Sequence, residues 1–125
     1  MLWQPAHLYP PDVLSGMTNS SGGARYEIDT TRNWPRRDFP ELAARVRVPV
    51  QFSAAEYERV WRSDPETLAR IGALFTASPR FLVNEQAGTG HNISLSHNAA
   101  AYHLRVLAFA EECVMAGTTT KVEAD

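Results

Sequence analysis

The sequence predicts an α/β fold: a β-α-β-α unit with a small parallel sheet over residues 46–117, preceded by an irregular Pro/Gly-rich segment over 1–45 and followed by a disordered tail over 118–125. Three observations carry that prediction. A β-branched run alternates with polar residues from Val46, an amphipathic helical pattern comes after it, and a second compact apolar group leads into a glycine-rich turn and another helical stretch.

The first forty positions hold five of the eight prolines, together with the loop-forming run Ser15-Gly16-Met17-Thr18-Asn19-Ser20-Ser21-Gly22-Gly23. Within them Arg25–Ile28 fits a short extended piece and Pro40–Arg45 a single helical turn, and the remainder is read as irregular. Val46, Val48, Val50 and Phe52 alternate with Arg47, Pro49 and Gln51, which is the pattern of a strand ending near Ser53. Pro49 has no amide hydrogen to donate, so it belongs near the start of that strand.

Ser63 and Glu66 form a capping box, and Leu68, Ile71, Gly72 and Phe75 then recur at helical spacing until Ser78-Pro79 ends the helix. Phe81-Leu82-Val83 suits a second strand, over 80–84, covered on both faces. After the turn Ala87-Gly88-Thr89-Gly90 comes His91, and Ser96 caps a last helix through Leu104, Leu107, Ala110 and Val114 that ends at Gly117. Two parallel strands leave at least one open edge, so this order expects something further to complete the sheet.

Twelve basic and fourteen acidic residues leave a formal charge of −2 with no run of one sign, which argues against nucleic acid or an anionic membrane as partner. Neither a secretory leader nor a membrane-spanning run is read at the amino terminus or elsewhere, so a cytoplasmic location is expected. The single Cys113 reads as a buried structural thiol, and Trp3, Trp34 and Trp61 as core or lid residues. His91, His97 and His103 recur every six residues, which is not the spacing that places two ligands on one helical face, so neither a metal nor a cofactor is expected.

In open α/β sheets functional groups gather beyond the carboxyl ends of the strands. Glu58 comes after the first strand and His91 after the second, so adjacent parallel strands bring both to one rim. A carboxylate there fixes the imidazole tautomer and stabilises the imidazolium formed when histidine takes a proton. Glu56, two positions earlier, is the competing carboxylate; register favours Glu58.

The segment Val48-Pro49-Val50-Gln51-Phe52-Ser53-Ala54-Ala55-Glu56-Tyr57-Glu58-Arg59-Val60 resembles the strand and turn that present the acid in α/β-hydrolases, and Ala87-Gly88-Thr89-Gly90-His91-Asn92 resembles the turn that places their histidine. The resemblance covers roughly residues 46–115. It implies a partial α/β-hydrolase fold, the carboxyl-terminal portion, with Glu58 as the acid and His91 as the histidine of a Ser-His-Glu type triad for ester or other acyl hydrolysis. Residues 1–45 are loosely similar to the lid or connecting segment that often precedes the acid strand.

The chain departs from that pattern in three ways. Ala55 replaces the usual glycine, glutamate replaces the commoner aspartate, and no Gly-x-Ser-x-Gly elbow occurs. Ser15, Ser20 and Ser21 lie in a Gly/Ser loop and lack the rigid turn that aims a nucleophile. The expectation is therefore a hydrolase segment inactive alone, whose partner is the missing amino-terminal half of a hydrolase. A non-catalytic, self-associating module derived from the same fold is the alternative, and a truncated fragment with no role of its own is a third.

Overall fold

The computed structural model describes residues 2–18 and 25–122, and in it the amino-terminal third is mostly helical. A 3-10 turn at Ala6–Leu8 is followed by α1 (Pro11–Thr18), α2 (Arg25–Arg37) and α3 (Phe39–Ala43). The irregular reading of 1–45 is corrected here. Pro11 and Pro40 sit in the first turns of α1 and α3, where the missing amide hydrogen costs nothing and a fixed φ favours the helix. These prolines are starts, not breaks. Arg25–Ile28, expected to be extended, opens α2, whereas the turn expected at Pro40–Arg45 coincides with α3. Residues 19–23 of the Ser/Gly run lie outside the described residues.

Next come β1 (Val50–Tyr57), α4 (Pro65–Ala73), β2 (Phe81–Gly90), a 3-10 turn at Ile93–Leu95 and α5 (Ala99–Val122). The described chain is thus mixed α/β, with five α-helices and one small sheet in which β1 and β2 pair in parallel. The β-α-β-α order matches the sequence reading.

The boundaries differ for local reasons. The first strand begins at Val50 rather than Val46, because the Val46 amide still donates to the Ala43 carbonyl in the turn that leaves α3. Pro49 directly precedes the first ladder bond, from the Val50 amide to the Arg80 carbonyl at 2.8 Å. At α4 the cap is Asp64, not Ser63: its carboxylate accepts from the Thr67 amide at 2.9 Å and the Thr67 hydroxyl at 2.8 Å, with Pro65 in the first turn. The second strand runs through the glycine-rich stretch instead of ending at Asn84, and α5 continues past Gly117 into the expected tail.

One face of the sheet meets an aromatic ladder. Phe52 stacks on Phe81 (6.4 Å between centroids), Phe81 meets Phe75 at the exit of α4 with tilted rings (4.9 Å), Phe75 meets Phe39 edge-on (5.9 Å), and Phe39 meets Trp34 of α2 with tilted rings (5.1 Å). Buried apolar residues are few among the described residues: Tyr9, Ala43, Ala54, Ala55 and Leu68. Trp3 packs edge-on against Tyr9, but Trp61 is half exposed and is no core residue.

The other face holds α5 by polar contacts. Arg80 pairs with Glu112 at 2.7 Å and lies over the Phe109 ring, and Arg105 donates to the Asn84 side chain. Leu104, Leu107 and Val114 point away from the sheet and are each more than 60% exposed. The stripe expected to seat this helix therefore does not do so. Leu82 and Val83 also keep more than a third of their surface, so β2 is not covered on both faces. Cys113 is half-buried.

Candidate functional site

Register decides what the rim of the sheet presents. Val50 lies opposite Phe81 and the pairing continues in step to Ala55 opposite Gln86, an offset of 31 positions. Beyond Ala55 the ladder is irregular and resumes with Tyr57 opposite Gly90, an offset of 33. Two extra residues have entered β2, an insertion of the kind that makes a bulge and re-aims the side chains beyond it. Without them Glu58 would face Thr89. With them the residue beyond Tyr57 faces the residue beyond Gly90, and Glu58 meets His91.

The bulge is built from specific contacts. Gly88 takes φ +65°, the left-handed region where a side chain is strained, and a Cβ there would lie 2.6 Å from Asn98 Nδ2. The Gly88 amide donates to Glu56 Oε2 at 2.7 Å, and Asn98 Nδ2 donates to the Ala87 carbonyl at 3.2 Å. Glu56, the competing carboxylate, is thus committed to the bulge 32 positions away.

His91 Nδ1 lies 2.9 Å from Glu58 Oε2 and 3.0 Å from Oε1. The Glu58 side chain is only 9% exposed and that of His91 21%. The turn after β1 supplies two further donors to the same carboxylate: the Val60 amide at 2.7 Å and the Trp61 amide at 3.2 Å, both on Oε1. Burial pushes the Glu58 carboxyl up, but the Val60 amide, the His91 ring and the Trp61 amide outweigh it and hold the group below the ordinary glutamate range. Glu58 is therefore an acceptor at neutral pH. A neutral His91 must then carry its proton on Nδ1 to bond it, which assigns the tautomer and leaves Nε2 with a free lone pair.

The amino-terminal segment closes over the histidine turn. Tyr9, 2% exposed, accepts at Oη from the Asn92 amide at 3.2 Å, and Asn92 Nδ2 donates to the Leu2 carbonyl at 3.0 Å. The His97 amide donates to the Leu8 carbonyl at 2.9 Å. Burial raises the Tyr9 hydroxyl above its ordinary value; the Asn92 amide opposes this and the Glu58 charge adds to it. Sequence reasoning missed these residues, since nothing in Leu2–Tyr9 marks a partner more than eighty positions away.

Among the described residues the hydrogen bonds of the His91 ring run to Glu58 and none to a hydroxyl. Thr89 and Ser96 donate to the Gln86 and Ile93 carbonyls, and Ser94, three positions after His91, is exposed in the 3-10 turn Ile93–Leu95. Ser15 is on α1 and donates to the Asp12 carbonyl, while Ser20 and Ser21 lie outside the described residues. Among the described residues no group of three or more His, Cys, Asp or Glu is placed to hold a metal, and no helix is long and apolar enough to cross a membrane. A cleft of about 220 Å³ lies between β2 and α5, lined by Leu82, Asn84, Arg105 and Phe109 among others, and contains neither Glu58 nor His91. No family model, no curated protein and no solved structure matches the chain.

Proposed function

We propose that Glu58 and His91 are the orienting acid and the general base of a hydrolytic site of α/β-hydrolase type, acting on an ester or other acyl carbon. The observation that carries the reading is His91 Nδ1 held within 3.0 Å of both oxygens of an ionised, nearly buried carboxylate at the carboxyl ends of two parallel strands. Such a pair does two things for acyl transfer: Nε2 accepts the proton of an attacking hydroxyl, and the carboxylate stabilises the imidazolium that results. The attacking serine belongs to sequence outside this chain, because no Gly-x-Ser-x-Gly elbow occurs within it.

The test translates every frame of the coding DNA on both sides of this chain and co-expresses any segment carrying such an elbow. The co-expressed pair should hydrolyse p-nitrophenyl acetate, the chain alone should not, and His91→Ala should abolish the activity. Turnover by the purified chain that vanishes in His91→Ala would refute its inactivity alone, and the lack of any elbow would sink the catalytic reading.

A non-catalytic, self-associating module is the second reading. It is favoured by Leu104 and Leu107 of α5, each about two-thirds exposed, and by a sheet of only two strands. Sedimentation that is independent of concentration would count against it.

A further inference from the structure

We propose that Tyr9 is a positioning residue for the Glu58–His91 pair, acting through the backbone on both sides of His91; the inference rests on the reading of that pair given above. Tyr9 touches the histidine turn at two points. Its Oη accepts the Asn92 amide hydrogen at 3.2 Å, and the same oxygen packs so closely on Gly90 that a Cβ there would lie 2.5 Å away. The Gln4 carbonyl would lie 2.8 Å from that Cβ, so Gly90 is the residue that admits the amino-terminal strap, Leu2–Tyr9. One buried phenol thus contacts the residue before His91 and the residue after it.

The strap is fixed at both its ends. Asn92 Nδ2 bonds the Leu2 carbonyl and the His97 amide bonds the Leu8 carbonyl, while Trp3 meets the Tyr9 ring edge-on at 5.4 Å. Tyr9 is the largest fully buried side chain among the described residues, and its hydroxyl satisfies an amide that would otherwise lack an acceptor. The strap therefore restrains the turn from Gly90 to Asn92, and with it the approach of His91 to Glu58. Tyr9 bonds neither ring nitrogen of His91, which makes its role positional rather than catalytic.

The experiment monitors the His91 ring nitrogens in the full chain by NMR, at a pH where the imidazole is neutral, in wild type, Tyr9→Phe and Asn92→Ala. Wild type should show the Nδ1–H tautomer with a slowly exchanging proton. Tyr9→Phe, which removes only the acceptor, should lower the ratio of Nδ1–H to Nε2–H tautomer by up to about fivefold, the limit reached when the whole worth of one hydrogen bond is coupled to the tautomer. Asn92→Ala, which cuts the bond to Leu2 and spares the buried ring, should move the ratio the same way by less. Circular dichroism melts report folding separately, and if Tyr9→Phe does not fold, Asn92→Ala decides. Ring signals unchanged in every folded variant would overturn the role of Tyr9 and leave the pair intact. Lack of an Nδ1–H bond in wild type would overturn both.

Discussion

Gly88→Ala tests the register argument on which the site depends. Gly88 has φ +65°, and placing a residue with a Cβ in the left-handed region costs roughly 1–2 kcal/mol. The new Cβ would stand 2.6 Å from Asn98 Nδ2, the far end of an exposed side chain that can swing away, but doing so gives up its bond to the Ala87 carbonyl. A partly exposed hydrogen bond of this kind contributes up to about 1 kcal/mol. The total is about 2 kcal/mol, which for a domain of this size lowers Tm by roughly 8 °C. Differential scanning calorimetry of Gly88→Ala, Asn98→Ala and the double variant separates the two contributions. Because the contact and the bond share one side chain, the double variant should melt close to Gly88→Ala alone instead of at the sum of the two losses. A drop of less than about 2 °C in Gly88→Ala, or strict additivity, would refute the bulge as the structure draws it.

Glu58 predicts an acid limb of stability. Its folded pKa is depressed, so its contribution is fully present above the unfolded glutamate value and is lost as pH falls through the lower folded value. Glu58→Gln should therefore lower Tm at neutral pH and flatten the fall in Tm below about pH 4.3, measured by melts across a pH series; a parallel curve would show that Glu58 is not the group responsible. Leu104→Glu with Leu107→Glu should leave the stability of the monomer nearly unchanged, within about 0.5 kcal/mol, because both side chains already face water. The same double substitution should abolish any concentration-dependent sedimentation; association that survives it would place the contact elsewhere.

The strand-helix-strand-helix order is legible because each element has a strong local signature, such as the spacing of Leu68, Ile71 and Phe75. The meeting of Glu58 with His91 is expected from parallel strands alone. What local pattern does not show is how the pair comes into line. Ala87-Gly88-Thr89-Gly90 has the composition of a turn that leaves the sheet, yet Glu56 and Asn98 satisfy its backbone and keep it in the strand. The amino-terminal prolines look like loop markers because proline breaks helices in their interior, whereas Pro11 and Pro40 occupy first turns. The α5 stripe misleads for a different reason: helical periodicity shows that a helix has an apolar face but not which neighbour covers it, and here polar residues make the contact with the sheet.

The size of the bulge matters to the chemistry as well. Side chains alternate between the two faces of a strand, so a single extra residue would have reversed the face on which everything after it points. The offset changes by two, from 31 to 33, which preserves alternation while carrying the end of β2 forward by one pair of residues. Ahead of the bulge, Phe81 and Asn84 take opposite faces, toward the aromatic ladder and toward α5. Beyond it, His91 arrives at the rim beside Glu58 on the side where the Val60 and Trp61 amides already converge on the carboxylate. The acid is thus preorganised by its own turn and the histidine by the bulge and the strap, so each half of the pair is placed by contacts that do not involve the other.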